Sequence, residues 1–333
     1  MELLSEYGLF LAKTLTLVAA TLIVVGAIVS LGSRGRDRGR EQLQVKPLNR
    51  RYRDMERTLR QIVERPPGRR LSLAALRRRR DAREPPAPDR ERKRVYYLRF
   101  DGDLRASKVD NLREEVSAIL TLARPEKDQV VVAIESGGGL VHSYGLAASQ
   151  LARLRQRGIA LTAMVDKVAA SGGYMMAAVA DRIVAAPFAI LGSIGVVAQI
   201  PNLHRFLRKH DVDLELLTAG EHKRTLTVLG RNTESGRRKF QQELDATHGL
   251  FKDFVHRYRP ALDLDKVATG EHWYGEQAVA LGLVDELRTS DDLLMELTRE
   301  HDVFQITYKK REPMSRRLTL AVETAMERWL ARH

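Results

Sequence analysis

From Val95 onward the sequence specifies an α/β domain, and ahead of it stands one apolar segment long enough to cross a bilayer as a helix. Three observations carry this. Short runs rich in β-branched residues alternate with segments whose apolar residues recur at helical spacing. Residues 9–31, LFLAKTLTLVAATLIVVGAIVSL, are apolar over 23 positions apart from Lys13 and a few hydroxyls. The chain's whole positive excess, +13, lies between these two parts.

As a helix, residues 9–31 would span about 35 Å, enough for the hydrocarbon core. The start MELLSEYG has no basic n-region and no small-residue cleavage site follows, so an uncleaved anchor (1–31) is expected rather than a signal peptide. Residues 32–94 hold 22 Lys+Arg against 9 Asp+Glu, leaving 34 of each sign in the rest of the chain. Arginine runs broken by PPG and EPPAP bury too little to fold alone, so this is a basic, partly disordered or helical linker, with a short helix at LNRRYRDMERTLRQIVER. Its charge suits anionic lipid headgroups. With Tyr52 as its single aromatic, the segment offers no interleaved platform for base stacking, and nucleic acid is not an expected partner. The chain has no cysteine, which excludes disulfides, thiolate chemistry and Cys-based zinc sites.

The domain elements follow in order. VYYLRFDGDL is a strand, and SKVDNLREEVSAILTLARPE places Val109, Leu112, Val116, Ile119 and Ala123 on one helical face. VVVAIES (130–136) is a buried strand that meets three glycines, and a helix around 145–157 stops at Gly158. IALTAMV is a strand, Ser171 opens the next helix, and RIVAAP, the apolar 189–200 run and LELLTAG follow. The 183–200 run contains Pro187, Gly192 and Gly195, which favours strand and loop over a second membrane span. A long amphipathic helix carries Phe240, Leu244, Phe251, Phe254, Val255 and Tyr258. The domain is taken as 95–300, with a C-terminal strand and amphipathic helix in 301–333.

The chemistry centres on VDKVAASGGYMMAAVAD (165–181), where one serine, Ser171, sits in the crease between strand and helix. A serine among small residues is ordinarily packing. As a nucleophile it needs a base, donors for the oxyanion and a group to orient the base. Backbone N–H groups at the start of the following helix, beginning with Gly172, are one donor source. The Ser136–Gly139 run at the end of a buried strand is another, though by itself it is equally an ordinary turn. For the base, His142, His204, His210 and His222 lie in contexts that mark none of them. Lys223, in TAGEHKRTLT, is the rival, although an ordinary lysine is protonated at neutral pH and works as a base only when desolvated.

Taken together, MELLSEYGLFLAK, GLAASQLARLR, DKVAASGGYMMA, APFAILGSIGVVAQ, TAGEHKRTL and GEHWYGEQAVALGLVDE make the chain resemble SohB-type membrane proteases of the signal peptide peptidase A family over nearly its whole length. The resemblance implies a ClpP/crotonase-like core of repeated ββα units and a Ser-Lys dyad that hydrolyses peptides, with signal peptides or membrane-associated polypeptides as substrates. On it the nucleophile falls on Ser171, the general base on Lys223, and a base-orienting serine on Ser193. The oxyanion donors fall on Gly138, Gly139 and Gly172. The family's Ser-Pro-Gly-Gly loop falls on Ser136–Gly139, with Gly137 replacing the proline, which puts the loop's rigidity in question. No metal or organic cofactor is implied. The partners implied are peptide substrate, membrane lipid and further copies of the chain, as an octamer whose sites draw Ser and Lys from neighbouring protomers. The chain holds one copy of each motif, so no internal repeat supplies the partner.

Two other readings stand beside this one: a crotonase-type acyl-CoA enzyme, and a non-catalytic membrane scaffold that keeps a protease fold. A Ser-His-Asp protease is weaker, because no histidine falls where one is needed. The location implied is the bacterial inner membrane, with a single N-terminal pass. Glu2 and Glu6 precede the anchor and the basic segment follows it, so the positive-inside rule favours a cytoplasmic domain, whereas the family resemblance favours the periplasm.

Overall fold

The computed structural model describes residues 13, 14, 16, 17, 42–64, 92–220 and 222–309. Most belong to one compact unit, Gln44–Thr307; the second, Met1–Leu43 with Tyr308–His333, is described at few positions. Apart from four residues, the expected anchor lies outside the described residues, as does the helix expected after residue 309. Among the described residues no helix is long and apolar enough to cross a membrane.

Part of the basic segment is folded. Strand β1 (Gln42–Pro47) leads into helix α1 (Leu48–Val63). The first turn of α1 is fastened to the body: Leu48 is buried, and the Asn49 side-chain amide donates to the carbonyls of Thr298 and His301, both at 2.7 Å. Its oxygen accepts from the Val303 N–H at 2.8 Å. Farther along, Met55, Leu59, Ile62 and Val63 are exposed.

The expected alternation then appears as β2 (Arg94–Asp101), α2 (Val109–Leu122), β3 (Gln129–Glu135), α3 (Val141–Gln156) and β4 (Ala160–Val165). α3 starts four residues before the expected position and ends beside Gly158, whose φ of 69° is the left-handed conformation that glycine adopts without strain. Next come β5 (Val168–Ala170), α4 (Gly172–Ala178), β6 (Arg182–Ala185), β7 (Ile190–Gly192) and the short α5 (His204–Lys209). The long helix is α6 (Glu234–Tyr258), opened by Thr233, whose hydroxyl accepts from the Gly236 N–H. The chain continues through α7 (Leu264–Val267), β8 (His272–Tyr274), α8 (Gly275–Ala280), β9 (Glu286–Leu287), α9 (Ser290–Glu300) and β10 (Asp302–Lys309).

Seven strands form one sheet in the order β1-β10-β2-β3-β4-β6-β9, and β5-β7-β8 form a second. Consecutive strands β4–β5 and β6–β7 each give their first member to the large sheet and their second to the small one, so the core repeats a strand–strand–helix unit. The central pairs β2/β3, β3/β4 and β4/β6 are parallel, and both faces of the large sheet are covered. Leu98, Val130, Val132 and Ile134 face α2 and α3, while Val95, Val131 and Met164 face Leu48 and the α9 residues Leu293, Leu294 and Leu297. That is why these strands read as continuous apolar runs rather than alternating ones. Fully burying each such side chain contributes about 1.5–3 kcal/mol.

One expected element is absent. LELLTAG forms no strand, and Leu214, Leu216 and Leu217 are exposed. Its apolar residues pair with no strand, and a segment without a ladder satisfies none of its backbone groups as a strand would.

Candidate active site

The three serines singled out in the sequence stand at the C-terminal ends of neighbouring strands. Ser136 follows β3 and bridges in parallel to Ala169 of β5, donating its N–H to the Val168 carbonyl (2.8 Å) and accepting from the Ala170 N–H (3.0 Å). β5 and β7 run parallel with Ala170 opposite Gly192, so Ser171 and Ser193 each lie one position beyond the same rung. The Ser171 N–H continues the ladder to the Gly192 carbonyl at 2.8 Å. In open α/β sheets, ligands bind at the carboxyl ends of such strands.

Ser171 is the N-cap of α4, with φ 51° and ψ −118°. A non-glycine residue there costs on the order of 1–3 kcal/mol, and such strain is tolerated where the surroundings over-determine it. They do so here: its N–H is held by β7, and its carbonyl accepts from the Met175 N–H at 2.9 Å. A sharp strand-to-helix turn of this kind lifts the hydroxyl out of the sheet. Ser193 likewise has a positive φ (52°), and its N–H donates to the Glu271 carbonyl at 2.6 Å.

The glycine loop closes over Ser171. Gly138 has φ 90°, and a Cβ there would lie 2.7 Å from the Ser171 Cβ and 2.8 Å from the Gly172 nitrogen. Gly139 abuts the Leu104 carbonyl, which a Cβ would meet at 2.1 Å. The Gly138 N–H donates to Ser136 Oγ at 3.1 Å, so it is already engaged within the loop. Gly172, first residue of α4, has an N–H that helix geometry leaves without an intrahelical acceptor. Gly137 faces open space.

Lys223 is exposed in the irregular stretch 211–233, its N–H on the Gly220 carbonyl at 3.2 Å. Among the described residues no hydrogen bond or ion pair joins its side chain to Ser171 or to another group. Strand pairing and the glycine loop thus bring Ser171, Ser193, Gly138, Gly139 and Gly172 together, while Lys223 is exposed and makes no side-chain bond to them. The surrounding stretch is unusually apolar for a surface, with Val197, Leu203, Phe206, Val212 and Val228 exposed as well as the LELL leucines. Of the histidines, His142, His210 and His222 are exposed and His204 is half-buried. Sequence reasoning missed Tyr144, whose buried hydroxyl bonds both Ser136 Oγ and the Asp103 carbonyl. Its signal, a tyrosine among alanines and leucines on a buried helical face, is too common to single out. Among the described residues no group of His, Asp and Glu is arranged to hold a metal ion.

Comparison with known proteins follows the same course. The sequence profile of Peptidase family S49 N-terminal matches residues 2–151, and that of Peptidase family S49 matches residues 153–303. The "Probable protease SohB" of Haemophilus influenzae is 50% identical over 330 residues, covering 94% of this chain and 91% of that protein. A protein of the same description from Buchnera aphidicola subsp. Acyrthosiphon pisum is 54% identical over 231 residues, covering 69% of this chain and 68% of its own length.

Proposed function

The chain belongs to peptidase family S49 and is a serine peptidase, and from that premise we propose that it cleaves peptides through a Ser171–Lys223 dyad shared between copies of the chain. The observation that supports this best is the strained turn at Ser171, with the glycine loop against it and the mouth of α4 beneath it. Uncharged Lys223 takes the Ser171 proton, and Oγ attacks the peptide carbonyl. The N–H groups of Gly139 and Gly172 receive the oxyanion, while Gly138, its own N–H engaged, sets the loop's approach. Lys223 then returns the proton to the leaving amine, water resolves the acyl-enzyme, and Ser193 orients the lysine.

The strand–strand–helix repeat supports a ClpP/crotonase-like core. The exposed apolar side chains around Lys223 support a homo-oligomer, octameric by resemblance, in which that stretch docks beside a neighbour's Ser171. Desolvation at such an interface favours the uncharged amine that the mechanism needs. Residues 9–31 anchor the assembly in the inner membrane, within reach of membrane-associated peptides and next to anionic lipid.

The test uses two inactive variants. Ser171→Ala and Lys223→Ala should each lose about 10³-fold or more of peptidase activity while remaining folded, because dyad members act as a unit. Activity within about tenfold of wild type in either would refute the assignment. Mixing the two under subunit exchange should restore part of the activity, since some interfaces then pair an intact serine with an intact lysine. Silence despite demonstrated exchange would exclude the shared site.

A further inference from the structure

We propose that Ser136 and Tyr144 are positioning residues for the oxyanion loop, holding it through a one-way hydrogen-bond chain from the Gly138 N–H to the main-chain carbonyl of Asp103. The direction follows from what each group can do. The Gly138 N–H can only donate, and it donates to Ser136 Oγ at 3.1 Å. The Asp103 carbonyl can only accept, and it accepts from Tyr144 Oη at 2.7 Å. The phenol's single proton is thereby used. The 2.5 Å bond between the two hydroxyls therefore runs from Ser136 Oγ–H to Tyr144 Oη. Each hydroxyl gives once and receives once along the chain.

The setting strengthens the chain and widens its reach. Ser136 is 2% exposed and Tyr144 0%, and in such low-dielectric surroundings successive hydrogen bonds polarise one another. Burial pushes the Tyr144 phenol up, the Ser136 hydrogen bond pulling the other way, so the proton that sets the direction stays in place. The ring also backs the opposite wall of the site: a Cβ on Gly172 would lie 2.3 Å from Tyr144 Cγ. Phe100 meets that ring edge-on at 6.3 Å, and Gly102 leaves no room beside the two hydroxyls, since a Cβ there would sit 2.5 Å from Oη. One buried side chain thus ties the glycine loop to the start of α4, the two sources of oxyanion donors. Nothing packs where a side chain at Gly137 would stand; the hydrogen-bond chain fastens the loop beside it, together with the packing of Gly138 on Ser171 and Gly139 on Leu104.

The inference rests on the proposed oxyanion site, and its test separates the two. Tyr144→Phe keeps the ring and removes Oη. Steady-state kinetics on a peptide substrate should show kcat down about 10- to 100-fold with KM within about threefold, less than the loss of a whole oxyanion donor. The Ki of a peptide aldehyde, whose adduct places an oxyanion in the hole, should rise by a similar factor. A merely structural role lowers the fraction of folded enzyme, which scales apparent kcat and leaves that Ki unchanged. Ser136→Ala breaks the same chain from the loop side and should reproduce the pattern. Wild-type kcat within threefold in Tyr144→Phe, an unmoved Ki, or loss of the fold in both variants would each overturn the positioning role. Ser171→Ala is run alongside: if it stays active the proposed site itself fails, whereas if it is dead and Tyr144→Phe behaves as wild type, only the relay fails.

Discussion

Replacing Gly138 with alanine perturbs the site through one methyl group. At φ 90° the backbone is one that L side chains rarely adopt, which costs on the order of 1–2 kcal/mol before any contact is counted. The new Cβ would lie 2.7 Å from the Ser171 Cβ, 2.8 Å from the Gly172 nitrogen and 2.9 Å from the Ala170 carbonyl oxygen. Ordinary van der Waals contact begins at 3.4 Å, so the loop must retreat by 3.4 − 2.7 = 0.7 Å from the nucleophile. The second and third neighbours are main chain, held by β5 and α4, so the loop and not the strand gives way. A displacement approaching 1 Å in a catalytic constellation costs about 10²-fold. We therefore expect Gly138→Ala to lose about 100-fold in kcat on a peptide substrate, with stability lowered by a few kcal/mol at most. Gly137→Ala, whose Cβ would meet nothing within 4 Å, is the control and should stay within about threefold of wild type. The measurement is kcat and KM for both variants, with thermal unfolding to confirm the fold. Gly138→Ala at wild-type kcat would refute the placement of this loop against the reacting centre.

Two further outcomes are expected. Burial raises the Asp285 carboxyl, but bonds from the Arg259 guanidinium (2.8 Å to each oxygen) and the Ile183 N–H outweigh it and leave its pKa below the usual range. A depressed carboxylate adds stability above its unfolded pKa, near about 3.9, and loses it as pH falls through the folded value. Asp285→Asn should thus be roughly 1–3 kcal/mol less stable than wild type at pH 7 by denaturant titration, with the gap closing under strong acid. A gap independent of pH would remove the charge from the explanation. For orientation, the proposed anchor and the basic segment after it favour a cytoplasmic domain, so residues 95–333 should be protected from added protease in right-side-out spheroplasts and cut in inverted vesicles; the reverse pattern would place the domain in the periplasm.

Local signals in the chain determined the alternation of elements. β3 and β4 are β-branched and apolar runs because both faces of their sheet are covered, and α3 stops at Gly158 because only glycine enters the left-handed turn cheaply. Ser171 was visible as a lone hydroxyl at a strand-to-helix crease, but by its local pattern alone it reads as packing, and only the resemblance of several distant motifs assigns it the nucleophile's role. The tertiary structure decided the rest. That Ser136 and Ser193 stand beside Ser171 is a property of parallel register, β3 bridging to β5 and β5 pairing with β7, and register is a relation between segments distant in sequence. Asn49 reaching Thr298 and His301, and Tyr144 reaching Asp103, are relations of the same kind. LELLTAG carried an apolar pattern and formed no strand, because a pattern becomes a strand only when a partner strand pairs with it, and that pairing is not written in the segment itself. Lys223 marks the same boundary from the other side: its motif is local, but its side chain stands exposed beside an exposed apolar stretch, and nothing in the motif itself fixes that environment.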